Sequence, residues 1–400
     1  MPDAAATSLQ VHPVLAAAER SLPDMLTDLE RLIRCESPSA DLAAIARSAD
    51  LVAEIGASRL GTQPERLVVD GCTHLRWRVG SLDRAAPRVL VLAHHDTVWP
   101  IGSIDAHPFS IEDGVLRGPG CFDMLTGLVA AIHGIAALGP LFDAAVTLLV
   151  TGDEELGSPT SRKLIEQEAP GCVAVLVLEA SGDGGALKIG RKGVSLYRVE
   201  ITGRSAHAGL EPERGLNATV ELAHQIVAVA GFGDATLGTT VTPTVAQGGT
   251  TTNTVAAHAA FSVDVRARSA AEQERVDGAF RTLESVTGAS IAVLGGINRP
   301  PLETSAAEPV WRRAIAVAER IGVEPPEAIV VGGASDGNFT ASLGVPTLDG
   351  LGAVGGGAHA AHEHVLVDAI APRTALLVGL LRDLLALPDA EEPRPGTTRA

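Results

Sequence analysis

The chain has 400 residues, a length that predicts two domains or one large domain with an insertion. Hydrophobic residues make up 46% of the sequence, which is enough for a packed core. The formal net charge of −17 argues against nucleic acid or an anionic membrane surface as a partner. The sequence also lacks an apolar stretch of the roughly 20 residues that a membrane span needs.

Two further observations predict a cytoplasmic protein. Residues 1–10 contain neither a basic segment nor an apolar one, so we expect no secretory signal peptide. The cysteines are dispersed and form no CxxC motif, so we expect reduced thiols. They are Cys35, Cys72, Cys121 and Cys172.

Helices and strands alternate in the first part of the chain. Apolar residues at helical spacing predict helices over 10–34, 40–58, 124–138 and 159–168. Short apolar runs predict strands over 67–70, 75–79, 88–94, 145–151 and 173–179. This order favours a doubly wound α/β sheet.

The pattern changes at residue 194. Strand, helix, strand, strand, helix and strand are predicted in turn over 194–202, 215–230, 239–246, 257–268, 270–286 and 289–294. This is the split βαβ order of a ferredoxin-like domain. We expect the chain to cross back over 295–301 and to complete the first sheet with elements over 306–322, 327–331, 345–350 and 365–387. The predicted domains are therefore 1–193 with 304–388, an insert over 194–303, and a disordered tail over 389–400.

Side chains that can bind a divalent metal stand at the ends of these apolar runs. His94 ends one run, Glu154 and Glu155 follow the next, and Glu179 ends a third. Asp123 lies just before a long apolar helix. Because ligands gather beyond the carboxyl ends of parallel strands, we expect these side chains to converge.

The inventory suits a pair of zinc ions. Each ion needs about three protein ligands, and two ions that share a carboxylate can activate a water molecule. The candidate ligands are two histidines and three carboxylates: His94, His359, Asp123, Glu155 and Glu179. Glu154 would then be available for proton transfer, and Asp96 could fix the tautomer of a histidine ligand.

Each of these signals has a simpler interpretation when taken alone. A single histidine or an acidic pair at the end of a strand is usually just solvated, and the glycines at 355–357 could form a flexible loop. The occurrence of all the parts at strand ends favours the metal site. The histidine ligands remain ambiguous, because His95, His362 and His364 lie close by. Cys121 could line the site, although buried filler is the commoner role of such a residue.

The motifs, taken in order, resemble those of the M20 metallopeptidases, and within them the carboxypeptidase G2-like (glutamate carboxypeptidase) group. The similarity extends from about residue 25 to residue 385. The matching segments are Ala93–Thr97, Gly118–Met124, Thr151–Ser158, Leu178–Glu179, Gly203–Gly209, Thr252–Val255, Asp264–Arg266, Gly333–Phe339 and Gly355–His359.

The resemblance implies a zinc-peptidase-like catalytic domain with a mixed, largely parallel sheet. The inserted ferredoxin-like α+β domain would act as a lid and a dimerisation domain. Two Zn²⁺ per chain are implied, although Co²⁺ or Mn²⁺ could take their place. His94 and Glu179 would complete one metal site, Glu155 and His359 the other, and Asp123 would bridge them.

The resemblance also implies roles in catalysis. A cis peptide bond would follow Asp123, joining it to Met124. Glu154 matches the general base, and Asp96 matches the acid that orients a ligand. His207 matches a histidine that reaches the site of the partner subunit and stabilises the oxyanion.

Substrate binding is assigned by the same resemblance to Arg266, Asn253 and Gly357. An arginine fork binds a carboxylate through two hydrogen bonds and keeps its charge, which suits recognition of a free chain terminus. Positive charge within 182–193 is consistent with an acidic substrate side chain, and equally with a solvated basic turn. It comes from Lys188, Arg191 and Lys192.

We therefore predict a two-zinc hydrolase that cleaves a peptide or amide bond next to a free C-terminal carboxylate, with glutamate carboxypeptidase as the leading activity. An N-acyl-amino-acid deacylase or a dipeptidase is the alternative. A non-catalytic binding protein on the same fold is a more remote one, and it predicts loss of a ligand or of the base, which this sequence retains. The expected partners are a small peptide or N-acyl amino acid and a second copy of the chain.

Overall fold

The computed structural model describes residues 12–81, 83, 85–141 and 143–387. The segment at 1–10 and the tail at 389–400, about which the sequence made predictions, lie outside the described residues. None of the described helices is both long enough and apolar enough to cross a lipid bilayer. All four cysteines are free thiols.

The described chain contains helices and strands in the following order. The helices are α1 (Pro13–Arg34), α2 (Leu42–Leu60), α3 (Ser103–Ala106), α4 (Thr126–Ala136), α5 (Arg162–Glu168), α6 (Ala218–Ala230), α7 (Ala270–Arg281), α8 (Thr304–Ile321), α9 (Gly337–Ser342) and α10 (Val367–Leu384). The strands are β1 (Glu65–Val69), β2 (Cys72–Gly80), β3 (Arg88–His94), β4 (Ser110–Glu112), β5 (Val115–Arg117), β6 (Ala145–Thr151), β7 (Ala174–Val177), β8 (Leu187–Arg191), β9 (Gly193–Thr202), β10 (Thr240–Gly248), β11 (His258–Ala267), β12 (Ser290–Arg299), β13 (Ala328–Val331), β14 (Thr347–Leu348), β15 (Gly355–Gly356) and β16 (His364–Leu366).

The chain divides into two compact units. The first takes the described residues up to Ile189, the segment Thr304–Ile329 and the described residues from Ser335 onward. The second takes Gly190–Glu303 and the short segment Val330–Ala334.

A six-stranded sheet forms the centre of the first unit, with the strand order β1-β2-β6-β3-β7-β14. Strands β6, β3, β7 and β14 run parallel, whereas β1 and β2 are antiparallel additions at one side. Every residue of β6 is buried, as is almost all of β3. Helices cover both faces of such a sheet, so its inner strands are continuous apolar runs. The predicted mixed, largely parallel sheet is confirmed.

A small antiparallel sheet was not predicted from the sequence. It contains β15, β16, β5 and β4, in that order, and each strand is only two or three residues long. Its central pairing sets His364 opposite Arg117 and Val365 opposite Leu116. The glycine-rich loop near residue 357 is thereby brought beside the segment that begins at Gly118.

The second unit has the predicted ferredoxin-like order. Its antiparallel sheet is arranged β10-β11-β9-β12, and α6 and α7 each contact strands of this sheet. Phe261 and Phe280 lie in the buried core of this unit, with Tyr197 stacked on Phe280.

The predicted crossing over 295–301 is wrong, because β12 continues through Gly295 and Gly296 to Arg299. The two glycines suggested that the strand ends before them, but they pair with Tyr197 and Leu196 of β9. Gly295 has a φ of +84°, and a Cβ atom there would lie 2.1 Å from the Leu196 carbonyl oxygen. A glycine is therefore required within this strand rather than after it.

Candidate active site

His94 is held by the segment that follows it. Its Nδ1 lies 2.9 Å from the Asp96 carbonyl oxygen and 3.4 Å from Asp96 Oδ1. Because both of these atoms only accept hydrogen bonds, Nδ1 carries a proton, and Nε2 is the nitrogen that faces Asp123 and Glu179. Asp96 Oδ1 and Oδ2 also accept the backbone N–H groups of Glu154 and Glu155, at 3.2 and 3.1 Å. Burial alone would raise the pKa of Asp96, but the contacts with His94 lower it.

Two groups of metal-type ligands share Asp123. In the first, His94 Nε2 lies 3.6 Å from Asp123 Oδ1 and 3.6 Å from Glu179 Oε1. In the second, His359 Nε2 lies 3.3 Å from Asp123 Oδ2 and 3.1 Å from Glu155 Oε1. The ligand atoms within each group all lie within 4.8 Å of one another. The structure thus brings together the five residues predicted as ligands, and all five belong to the first unit.

The donor set fits a pair of divalent cations. His94 Nε2 is buried and has no hydrogen-bond partner, although two carboxylates lie around it. Burial lowers the pKa of His94, but the nearby carboxylates of Asp123, Asp96 and Glu179 outweigh it, so the pKa is raised overall. Hydrogen bonds to Asp123 and Glu155 raise the pKa of His359 to about 10. The negative charge therefore favours a cation at both imidazoles, and imidazole with carboxylate is a common zinc ligand set.

The neighbouring histidines are placed differently. His95 is buried, and its two ring nitrogens contact Ser48 Oγ and the Thr73 carbonyl oxygen, each at 3.1 Å. Burial lowers the pKa of His95 to about 4. His364 Nδ1 contacts the His362 carbonyl oxygen at 3.0 Å. Among the described residues, the two ligand groups that share Asp123 include none of these three histidines.

Hydrogen bonds made by Asp153 and His74 hold the loop that carries Glu154 and Glu155. Asp153 accepts hydrogen bonds from the backbone N–H and the hydroxyl of both Thr160 and Ser161. His74 Nδ1 accepts the N–H of Gly152, at 3.1 Å. Cys72, His74 and Asp153 could by distance hold a metal, but these hydrogen bonds show that His74 and Asp153 support the loop. Glu154 is 8% exposed.

One further implied feature is present near the ligands, and the turn before His359 requires a glycine. The peptide bond between Asp123 and Met124 is cis, as the resemblance implies. Gly357 has a φ of +78° and begins the turn that leads to His359, and its carbonyl oxygen accepts the N–H of Ala360. A Cβ atom at Gly357 would lie 2.8 Å from the ring of His362, so only glycine fits there.

His207 lies on the surface of the second unit in a defined tautomer. Its Nδ1 accepts the backbone N–H groups of Gly209 and Leu210, each at 3.1 Å. The neutral ring therefore carries its proton on Nε2, which makes that atom a hydrogen-bond donor. Asn253 lies beside it, because the Asn253 carbonyl oxygen accepts the N–H of Ala208 at 2.9 Å.

Arg266 lies on β11 and forms a two-point ion pair with Asp264. Nε and Nη2 of Arg266 donate to the two carboxylate oxygens at 2.8 and 2.9 Å. An arginine has five N–H donors, so this pair fixes the guanidinium plane and leaves other donors for a second carboxylate. Arg191, one source of the predicted positive charge, is buried and donates to the carbonyl oxygens of Gly333 and Ala334.

Two buried carboxylates near the site were not predicted from the sequence. Asp336 accepts hydrogen bonds from Thr151 and from Ser158, on either side of the Glu154 loop. Glu363 contacts the segment that carries Asp123. Asp336 belongs to the segment Gly333–Phe339, which resembles the family. Glu363 belongs to none of the matching segments and is marked only by following His359 by four residues.

The fold and the paired ligand groups are those of a metal-dependent hydrolase. The chain belongs to the peptidase family M20/M25/M40, whose model matches residues 90–383. This membership confirms the resemblance found in the sequence and makes the protein an enzyme of the peptidase or amidohydrolase type.

Three known proteins illustrate the similarity. Carboxypeptidase G2 of Pseudomonas sp. (strain RS-16) is 29% identical over 381 residues, which cover 92% of this chain and 91% of the relative. Succinyl-diaminopimelate desuccinylase of Azoarcus sp. (strain BH72) is 28% identical and covers 82% and 90%. The M20 family metallo-carboxypeptidase Sso-CP2 of Sulfolobus solfataricus has the same fold, with a TM-score of 0.69 and 18% identity over 91% of this chain and 99% of that one.

Proposed function

We propose that this enzyme is a two-zinc carboxypeptidase that hydrolyses a peptide or amide bond next to a free C-terminal carboxylate, with glutamate as the preferred leaving residue. The observation that carries the proposal is the shared position of Asp123 between two ligand groups, together with the unpartnered Nε2 of His94. The similarity to carboxypeptidase G2, which extends over 92% of this chain, supports the carboxypeptidase activity.

The proposed metal ligands are His94 and Glu179 for one ion, Glu155 and His359 for the other, and Asp123 for both. Bound there, two divalent ions would supply Lewis acidity and acidify the attacking water. The chain itself fixes the ligand geometry, because Asp96 holds the ring of His94 on one side. The carboxylate of Asp96 accepts the backbone N–H groups of Glu154 and Glu155 on the other side.

Proton transfer is assigned to Glu154. It accepts a proton from the attacking water and delivers it to the nitrogen of the leaving amine. Its neighbour Glu155 contacts His359, which leaves Glu154 as the member of the acidic pair with this task. His207 donates its Nε2–H to the developing oxyanion, a role for which its tautomer is already set.

The substrate carboxylate is assigned to Arg266 and Asn253, with Gly357 lining the peptide on the metal side. Asp264 keeps the guanidinium plane of Arg266 in place before the substrate arrives. This arrangement selects substrates with a free terminal carboxylate, since an amidated terminus offers no charge to the guanidinium.

A deacylase that acts on N-acyl amino acids is the second candidate. The similarity to a succinyl-diaminopimelate desuccinylase over 82% of this chain favours it. Both activities use the same attack on a carbonyl group, and they differ in the groups on the two sides of the scissile bond.

A substrate panel with a metal assay tests the proposal. The purified enzyme should contain close to two zinc equivalents, and it should release glutamate from acyl- and peptidyl-glutamates faster than other amino acids from matched compounds. The C-terminal amides of the same compounds serve as controls and should react slowly. Faster turnover of N-succinyl amino acids would favour the deacylase, and an active protein without bound metal would refute the proposed site.

We further propose that the enzyme works as a homodimer in which His207 serves the site of the partner. Mixing inactive His207→Ala chains with inactive Glu154→Gln chains should then restore part of the activity. In the mixed dimer one site combines an intact Glu154 with an intact His207 from its neighbour. If verified subunit exchange gives no recovery, His207 acts within its own chain.

A further inference from the structure

Glu363 is a buried carboxylate that the proposed mechanism does not use. It is 4% exposed and lies four residues after His359, just before β16. Burial of a carboxylate is unfavourable unless hydrogen bonds replace those that water provides. The hydrogen bonds of Glu363 therefore show which groups compensate for its burial.

Both carboxylate oxygens of Glu363 accept hydrogen bonds from the segment that leads into Asp123. Oε2 accepts the N–H of Gly120 at 2.9 Å, and Oε1 accepts the N–H groups of Phe122 and Asp123 at 2.9 and 3.0 Å. A fourth donor is the indole Nε1 of Trp99, at 2.7 Å from Oε2. Because all four partners donate, an ionised carboxylate satisfies the whole set.

These contacts connect three segments that carry proposed ligands. Trp99 follows His94 by five residues, the backbone donors lead into Asp123, and Glu363 itself follows His359. The contact between Asp123 and Glu363 joins positions 240 residues apart in sequence. Asp123 is the one ligand that both groups share, so a displacement of its backbone would disturb both groups together.

We infer that Glu363 is a positioning residue for the metal centre, which sets the Asp123 backbone relative to the His359 loop and so fixes the spacing of the two ligand groups. It does not touch a ligand side chain, a substrate or a reacting atom in this role. The inference rests on the metal centre proposed above. Residues that orient ligands in this indirect way typically contribute about 10–100-fold to metal affinity.

The variant Glu363→Gln tests the inference with little change in volume. The amide presents an NH₂ group to one pair of N–H donors, so that pair loses its acceptor. We expect zinc affinity, measured by chelator competition on the metal-free protein, to fall about 10–100-fold. The Co²⁺-loaded variant should also show a shifted visible absorption spectrum, since that spectrum reports ligand geometry.

Asp28→Asn is the matched control. Asp28 is a buried carboxylate of the same unit that accepts a hydrogen bond from Arg59 and contacts His133 Nε2 at 2.9 Å. Both variants should lower the melting temperature, but only Glu363→Gln should weaken metal binding. Trp99→Phe removes one of the four donors, and it should give a smaller loss of zinc affinity in the same direction. If Glu363→Gln does not fold, the zinc affinity of Trp99→Phe tests the inference in its place.

Three results separate the possibilities. If the unaltered protein binds no zinc, the proposed metal centre fails. If the unaltered protein binds two ions and Glu363→Gln, or Trp99→Phe in its place, binds them with unchanged affinity, the positioning role is refuted while the metal centre stands. If the affinity of Glu363→Gln falls but its Co²⁺ spectrum is unchanged, Glu363 acts through its charge, and the positioning role is again refuted.

Discussion

Replacing Glu154 by glutamine should separate the base from the metal ligands. The backbone N–H of Glu154 donates to Asp96 at 3.2 Å, and this hydrogen bond does not depend on the side chain. The side chain of the neighbouring Glu155 lies 3.1 Å from His359 Nε2, inside a ligand group. Glu154→Gln should therefore preserve the loop and the metal content while removing the group that accepts the proton.

The size of each effect follows from these positions. Loss of a general base typically costs about 10²–10⁴-fold in rate, which corresponds to roughly 3–5 kcal/mol in the barrier. Loss of a direct ligand should weaken metal binding at least as much as loss of an orienting residue, about 100-fold. Glu154→Gln should thus lower kcat at full metal occupancy, and Glu155→Gln should lower the occupancy itself.

The assay measures metal content by mass spectrometry after dialysis against a buffered low zinc concentration, and then kcat with added zinc. Glu166→Gln is a suitable control, because Glu166 pairs with Arg162 on α5 and should change neither quantity. The assignment is refuted if Glu154→Gln loses metal while Glu155→Gln keeps it. In that case the two neighbouring carboxylates have exchanged roles.

Three further predictions use the same structure. The raised pKa of His359, about 10 against an ordinary 6.5, should stabilise the metal-free protein fully below about pH 6.5. That stabilisation should be lost as the pH rises toward 10, so calorimetry with a chelator should show a melting temperature that falls over this interval more steeply than that of the zinc-loaded protein. His359→Ala should reduce metal content sharply whereas His362→Ala should not; the reverse would mean that the loop was assigned in the wrong register. Arg266→Ala should raise KM strongly for substrates with a free terminal carboxylate and leave metal content unchanged. Arg198→Ala, which breaks a similar arginine–carboxylate pair on β9, should leave KM near its original value.

The central sheet could be predicted because its strands are buried on both faces. Residues 145–151 form a strand with the predicted limits, and every residue of it is buried. The place of His94 and Glu179 follows from the same pattern, since topology alone brings the carboxyl ends of β3 and β7 together. For these strands, the local apolar pattern is therefore enough to predict which ligands lie close together.

The small sheet of the first unit could not be predicted in this way. Two of its strands, β15 and β16, contain two and three residues, too few for an alternating pattern to stand out. The choice of His359 over His362 was likewise open on residue type alone. It depends on the path of the loop, where Gly357 and His359 both adopt positive φ values.

Glu363 shows why part of the site lies beyond sequence reasoning. Its partners are mostly backbone N–H groups, which every residue except proline possesses, so no residue type marks the donors in advance. What selects the carboxylate is the convergence of these groups on one side chain, and that contact exists only when segments about 240 residues apart have met. The metal ligands could be predicted because their residue types are those that bind metals. The contacts that hold them in place are made largely by backbone N–H groups, which the sequence does not distinguish.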